Sequence, residues 1–264
     1  MLNIYWTFFK TSLALQFQYR AAMAIWMIFR ILEPIIYLVV WSTVAESRGG
    51  TVGGYTPGDF VAYYIVLMVV NQFTFTWIMY EFEYRVRHGA LSPLLLKPIH
   101  PIHQDVADNV AYKVLTAVIL FPSVALLAFL FTPNFTMQTW TVLAFIPAVI
   151  LAFFVRFATE WTLALAAFWT TRVSAINETH FVLGLFLAGR IAPLSLLPEP
   201  IQILADLLPF RWTVAFPVEL LLNRLSPEEI MNGFIAQGIW LVLGIILLKF
   251  TWRRGIRRYS AVGS

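Results

Sequence analysis

Cysteine is absent, and charged residues make up only 12% of the chain. The first absence excludes disulfides, thiolate metal sites and thiol nucleophiles. The second excludes an ordinary soluble globule, which carries about 25% charged residues. No Walker motif and no Ser-His-Asp arrangement is present. The glycine-rich stretch Ser47–Tyr55 lacks the lysine and the strand–helix setting of a phosphate loop. Alternating segments of about 10 residues, the mark of a membrane β-barrel, do not occur. No cleavable signal peptide is recognisable, so the first span is expected to direct insertion. No internal repeat is evident.

Long apolar runs are what the chain has. Hydrophobic residues reach 60% and aromatics 16% of 264 residues. A membrane helix needs about 20 predominantly apolar residues, and its backbone must satisfy its own hydrogen bonds in lipid. Six runs qualify: Ala21–Val44, Phe60–Tyr80, Val110–Phe131, Trp140–Thr171, Val173–Pro193 and Ile230–Thr251. The expected fold is therefore all-α: a polytopic membrane protein forming one transmembrane domain over 1–264. Tryptophans near several run ends suit interfacial anchoring.

The net charge of +4 is informative by position, and it does not point to nucleic acid. Arg253, Arg254, Arg257 and Arg258 crowd the tail at 252–264, which the positive-inside rule places in the cytoplasm. Six spans then put the N-terminus inside, with Lys10 and Arg20, and the 81–108 loop inside as well. Residues 1–20 carry large apolar side chains but are too polar to span. They read as an interfacial helix on the inner leaflet, or alternatively as an extension of the first span. The segment 192–229 holds six prolines and apolar runs too short to cross. It reads as broken helices re-entering the outer leaflet, against the alternative of an ordinary outer loop.

The fourth and fifth runs can be divided in two ways. In one, a long fourth helix ends near Arg172 and a short fifth follows. In the other, the fourth ends near Phe154 and the fifth runs from Trp161 to Leu187. The first is preferred, because Thr170–Thr171–Arg172 has the look of an inner boundary.

Charges inside the runs are the candidates for special roles. Arg30 and Glu33 lie three apart, and Arg156 and Glu160 four apart, so each pair shares a helix face and can neutralise itself. His88, His100 and His103 lack metal-ligand spacing and are separated by prolines, so solvated loop histidines are expected. Asn134-Phe135-Thr136 and Asn177-Glu178-Thr179 match the glycosylation sequon, a weak motif, and the second falls inside or within the membrane. With no nucleotide site in the chain, energy for any pumping must come from a partner. The inner loop is where that partner would dock: Leu91, Leu94, Leu95 and Leu96 with Pro93 and Pro98 make a short, partly apolar element beside basic residues.

The loop string HGALSPLLLKP, ending at Pro98, resembles the cytoplasmic loop of ABC-2 type exporter permeases. FWTTR (168–172), AGRIAPLSLLPEPI (188–201), LPFRWTVAFPVELLLNRLS (208–226) and the tail WRRGIRRYSAVGS (252–264) are similar to a bacterial subgroup of that superfamily. In that subgroup two related permeases are commonly encoded beside one ATPase. The resemblance covers nearly the whole chain. It implies a permease subunit in a bacterial inner membrane, paired with a second permease, a related heterodimer partner being favoured. ATP and magnesium would be held by separate ATPase subunits, with no cofactor, metal or catalytic residue in this chain.

The resemblance also implies that Glu81, Arg85, Arg87, His88, Gly89, Leu91, Pro93, Leu94, Leu95, Lys97 and Pro98 form the ATPase-coupling element. Arg190, Pro193, Pro198, Pro209, Phe210 and Pro217 would serve the outer gate. Two competing classes remain. A lipid-processing membrane enzyme needs clustered acids or histidines facing a cavity. A secondary transporter is expected to have repeated halves.

Overall fold

The computed structural model describes residues 2–170 and 173–260. Twelve helices occur among them: α1 (Leu2–Gln18), α2 (Arg20–Ser47), α3 (Pro57–Thr74), α4 (Ile78–Arg87), α5 (Ser92–Leu95), α6 (Ile102–Phe131), α7 (Thr139–Ala164), α8 (Val173–Leu187), α9 (Glu199–Leu207), α10 (Pro209–Thr213), α11 (Ala215–Leu221) and α12 (Pro227–Gly255). A 3-10 turn extends α7 through Phe168. Extended pairing among the described residues is limited to one bridge, Val52 with Tyr55.

Five of these units are long and apolar enough to cross a membrane: α2, α3 with α4, α6, α7 with its terminal turn, and α12. The protein is thus a multi-pass, all-helical membrane protein. The fourth run follows the long-helix partition, although Thr171 and Arg172 lie outside the described residues. The expected fifth span, Val173–Pro193, is helical only to Leu187. Its 15 residues reach roughly 22 Å at about 1.5 Å per residue, short of the ~30 Å hydrocarbon core.

A glycine turn and three side chains from α2 and α3 stop α8. Gly189 takes a left-handed turn at φ 72°, and a Cβ there would lie 2.6 Å from the Tyr63 hydroxyl. The Tyr63 and Tyr64 hydroxyls and the Trp41 indole then donate to the carbonyls of Gly189 and Ile191.

α3 is the central helix. Nearly every residue from Phe60 to Val70 is buried, so it is apolar on all faces. Thr56 and Asp59 cap its start reciprocally, with Pro57 in the first turn. Asp59 also holds Arg224 at 3.1 Å and accepts from the Asn134 side chain at 3.1 Å, which joins three loops at this end. The Asn134-Phe135-Thr136 sequon is therefore engaged in structure, its threonine donating to the Leu222 carbonyl. All seven residues of α11 are buried, and this short helix packs against α3 and α7. α12 lies close along α7, with Gly244 facing Ala158 and the added Cβ positions of Gly233 and Gly255 falling on Phe216 and Phe168. Small residues allow such close approach in membrane helices.

The sequence predicts an unbroken second span over Phe60–Tyr80, and the structure interrupts it. Residues Phe75, Thr76 and Trp77 leave the helical conformation between α3 and α4. No glycine or proline marks the break. Its cause is tertiary: Lys113 donates to the Phe75 carbonyl at 2.8 Å, and the Thr76 hydroxyl donates to Glu160. Non-helical backbone at this depth is tolerated where protein covers and satisfies it.

Candidate functional site

The loop after α4 begins with a turn at Gly89, whose φ of 71° suits a residue without a Cβ. That turn sends the Leu91 N–H back to the Arg85 carbonyl at 3.1 Å. Leu91 is fully buried among Phe82, Trp161 and their neighbours. Proline at its start favours the single turn of α5. Leu94 and Leu95 pack against the same cluster, whereas Leu96 projects outward, 88% exposed. Pro93, Lys97 and Pro98 share that exposed rim with Arg87 and His88.

The loop is anchored from behind. Arg85 is buried and pairs with Asp105 at 2.6 Å, while the other Asp105 oxygen accepts from the Trp161 indole at 2.9 Å. Removing one partner of a buried pair is costly because the other charge is left uncompensated, so this triad ties α4, α6 and α7 together. Glu81 adds a 3.2 Å contact to Arg85, and Glu83 pairs with Arg87 at 3.3 Å.

α1 lies along the start of α6, with Ser12 donating to Asp108 and Tyr5 meeting His103 at 2.5 Å. The described part of the tail returns to the same end, where Tyr259 bonds Ser92 at 2.9 Å. Arg253, Arg254, Arg257 and Arg258 are all exposed there.

The three loop histidines are separated by their partners. His88 stacks on Tyr84, His103 meets Tyr5, and His100 lies against Trp252 and Trp161. Burial, and then the nearness of His103, lowers the pKa of His100 below its ordinary range. No group of three His, Asp or Glu side chains among the described residues could hold a metal ion.

Deeper in the bundle, polar groups surround the α3–α4 break. Arg156 binds Glu160 at 2.7 Å and reaches Asn71 and Thr74. Arg30 does not pair with Glu33. Its guanidinium lies 3.7 Å from the centre of the Phe75 ring, a cation–π contact, and its Nη1 has no hydrogen-bond partner. Glu33 instead receives both its hydrogen bonds from Arg190, at 2.9 Å each. The i, i+3 spacing puts Arg30 and Glu33 near one face, but the ring claims one and a distant arginine the other.

A cavity of about 310 Å³ opens beside the break, walled by α4, α7, α8 and α10.

A family model described as an ABC-2 family transporter protein matches residues 31–263. The chain belongs to the ABC-2 transporter family. No curated protein and no solved structure matches it. Members of this family are membrane components of transporters and generally work with ATPase subunits.

In this ABC-2 permease the residues singled out by sequence divide into distinct groups. Of the coupling candidates, Glu81, Arg87, His88, Pro93, Lys97 and Pro98 are exposed, Gly89, Leu94 and Leu95 half-buried, and Arg85 and Leu91 buried. Of the outer-gate candidates, Arg190, Pro209 and Phe210 line the cavity. Pro193 and Pro217 are buried, and Pro198 caps α9 at the surface.

Asp105, Trp161 and Lys113 are the important residues that sequence reasoning missed, and Asn177 was noted there only as part of a sequon. Lys113 was detectable by the rule that singles out Arg30, since it is an ammonium inside an apolar run. Asp105 sits in the loop before the third run and Trp161 inside the fourth, and nothing in the local pattern marks them as partners.

Proposed function

We propose that this chain is the permease subunit of an ATP-driven exporter, one of two permeases that together line the translocation path. The observation that carries this reading is the α4–α5 corner. An exposed rim of Leu96, Pro93, Lys97 and Pro98 is held on a fully buried Leu91 and a buried ion pair. An apolar tip on a stiff mount is suited to insert into a groove of a soluble ATPase and receive its movement. ATP and magnesium belong to that partner.

In this reading the α5 end, α1 and the basic tail face the cytoplasm of a bacterial inner membrane. Segment α9–α11 re-enters from the outer face and completes, with α8, a sixth crossing. The buried α11 and the anchored Gly189 turn support that re-entry. The second permease is a related chain, as pairs in the resembling subgroup suggest.

Co-purification tests the reading. Leu96→Asp with Lys97→Glu changes only exposed side chains. The expected result is normal permease yield with at least about ten-fold less ATPase recovered, corresponding to roughly 1.4 kcal/mol. Recovery of ATPase at the unmodified level would refute the docking role of α5. Substitution of Leu94 or Leu95 is less decisive, because both pack on the core and the effect would mix unfolding with detachment.

A further inference from the structure

Asn177 stands out among the buried polar groups. It is 2% exposed on α8, lines the cavity, and neither its amide nitrogen nor its amide oxygen has a hydrogen-bond partner. Most buried polar side chains are satisfied, and an amide left bare is costly. Such a cost is retained where a ligand removes it.

The surrounding charge says which ligand. Arg30, Lys113, Arg156 and Arg190 lie in this part of the bundle, and among the described residues only Glu33 and Glu160 are paired against them. Glu178, next to Asn177, is exposed. The remaining walls are mainly apolar and aromatic, and two of them, Trp77 and Phe181, are 52% and 48% exposed, so the cavity meets the surface there.

We propose that this cavity binds the anionic oxyacid head of an amphiphile, a carboxylate or phosphate monoester, with its apolar chain leaving between Trp77 and Phe181. Asn177 donates to the head, the paired Arg156 and Arg190 face it from the cavity wall, and Arg30 and Lys113 behind them leave the surroundings net positive. The volume accepts the head and the first part of a chain, at the small end of ligand pockets of about 300–1,000 Å³. The inference deepens the exporter reading and rests on it by giving the substrate class.

The test uses the full-length chain in non-ionic micelles and a diazirine-bearing alkyl phosphate, with adducts mapped by mass. Labelling is expected on Trp77–Tyr80 and on α8. Dodecyl phosphate should compete at least about ten-fold better than dodecanol, and inorganic phosphate should not compete at the same concentration. Asn177→Leu should cut labelling about ten-fold or more while leaving the ligand-free thermal midpoint equal or higher, because it removes a bare amide. Gly184→Leu, which fills the cavity from the same helix face, should also end labelling.

Equal competition by dodecanol, effective competition by inorganic phosphate, unchanged labelling of Asn177→Leu, or a destabilised Asn177→Leu would each overturn the site. Labelling is measured without ATPase. A failure here with ATPase association intact therefore removes the substrate class alone, and the converse result removes the exporter reading alone.

Discussion

Removing the Glu33 carboxylate takes from Arg190 the acidic partner it has among the described residues, bound at 2.9 Å. A double-mutant cycle of Glu33→Gln with Arg190→Gln should therefore give an interaction energy of ~1–2 kcal/mol in thermal unfolding. That lies in the lower part of the range for contacting residues, because Glu33 keeps about a third of its side chain exposed. The cycle of Glu33→Gln with Arg30→Gln should give a clearly smaller value, and the reverse order would show that Arg30 is the real partner. Sequence spacing marked Glu33 as special but assigned it to Arg30, because an ion pair spanning 157 positions is set by tertiary packing. Arg156 and Glu160 pair locally on one helix and were legible for that reason.

Elements were easier to read than their interruptions. Five of the expected runs coincide with long apolar helical units, the second with a break at 75–77 and the fourth helical as far as Phe168, since run length and composition govern membrane helices directly. The break at Phe75–Trp77 escaped because its causes, Lys113 and Glu160, come from other helices. The end of α8 escaped because tyrosine hydroxyls from α3 fix the following turn. Packing of α12 on Phe216 of α11 yields a prediction with an internal control. Gly233→Ala drives a Cβ to 2.0 Å from the buried Phe216 ring and should cost about 1–3 kcal/mol through overpacking. Gly238→Ala meets nothing within 4 Å and should be neutral or up to ~1 kcal/mol stabilising through helix propensity. Thermal midpoints in micelles measure both, and a Gly238 variant weaker than the Gly233 variant would contradict the packing.

At the scale of the whole molecule, the number of crossings decides where the two ends lie. The absence of native cysteine makes the chain ready for single-cysteine mapping. Six crossings predict that Lys10→Cys, Lys97→Cys and Arg257→Cys react with an impermeant maleimide from the cytoplasmic side. Thr51→Cys and Met137→Cys should react only from the other. Position 257 reacting from the side opposite to position 10 would mean five crossings, with α8 and the α9–α11 segment lying on one side. The apolar class of the protein was plain from composition, but this count was not, because 15 residues of α8 are too few to decide it by length.

The buried Leu91 has a mechanical consequence. With its side chain in the core and its N–H bonded to the last turns of α4, α5 cannot swing independently of that helix. A push on Leu96 acts as torque on α4, whose far end is the non-helical joint at Phe75–Trp77. That joint is also a wall of the cavity. α4 would then be a lever with its fulcrum in the core, and a stroke at the rim would reshape the chamber without α3 having to move.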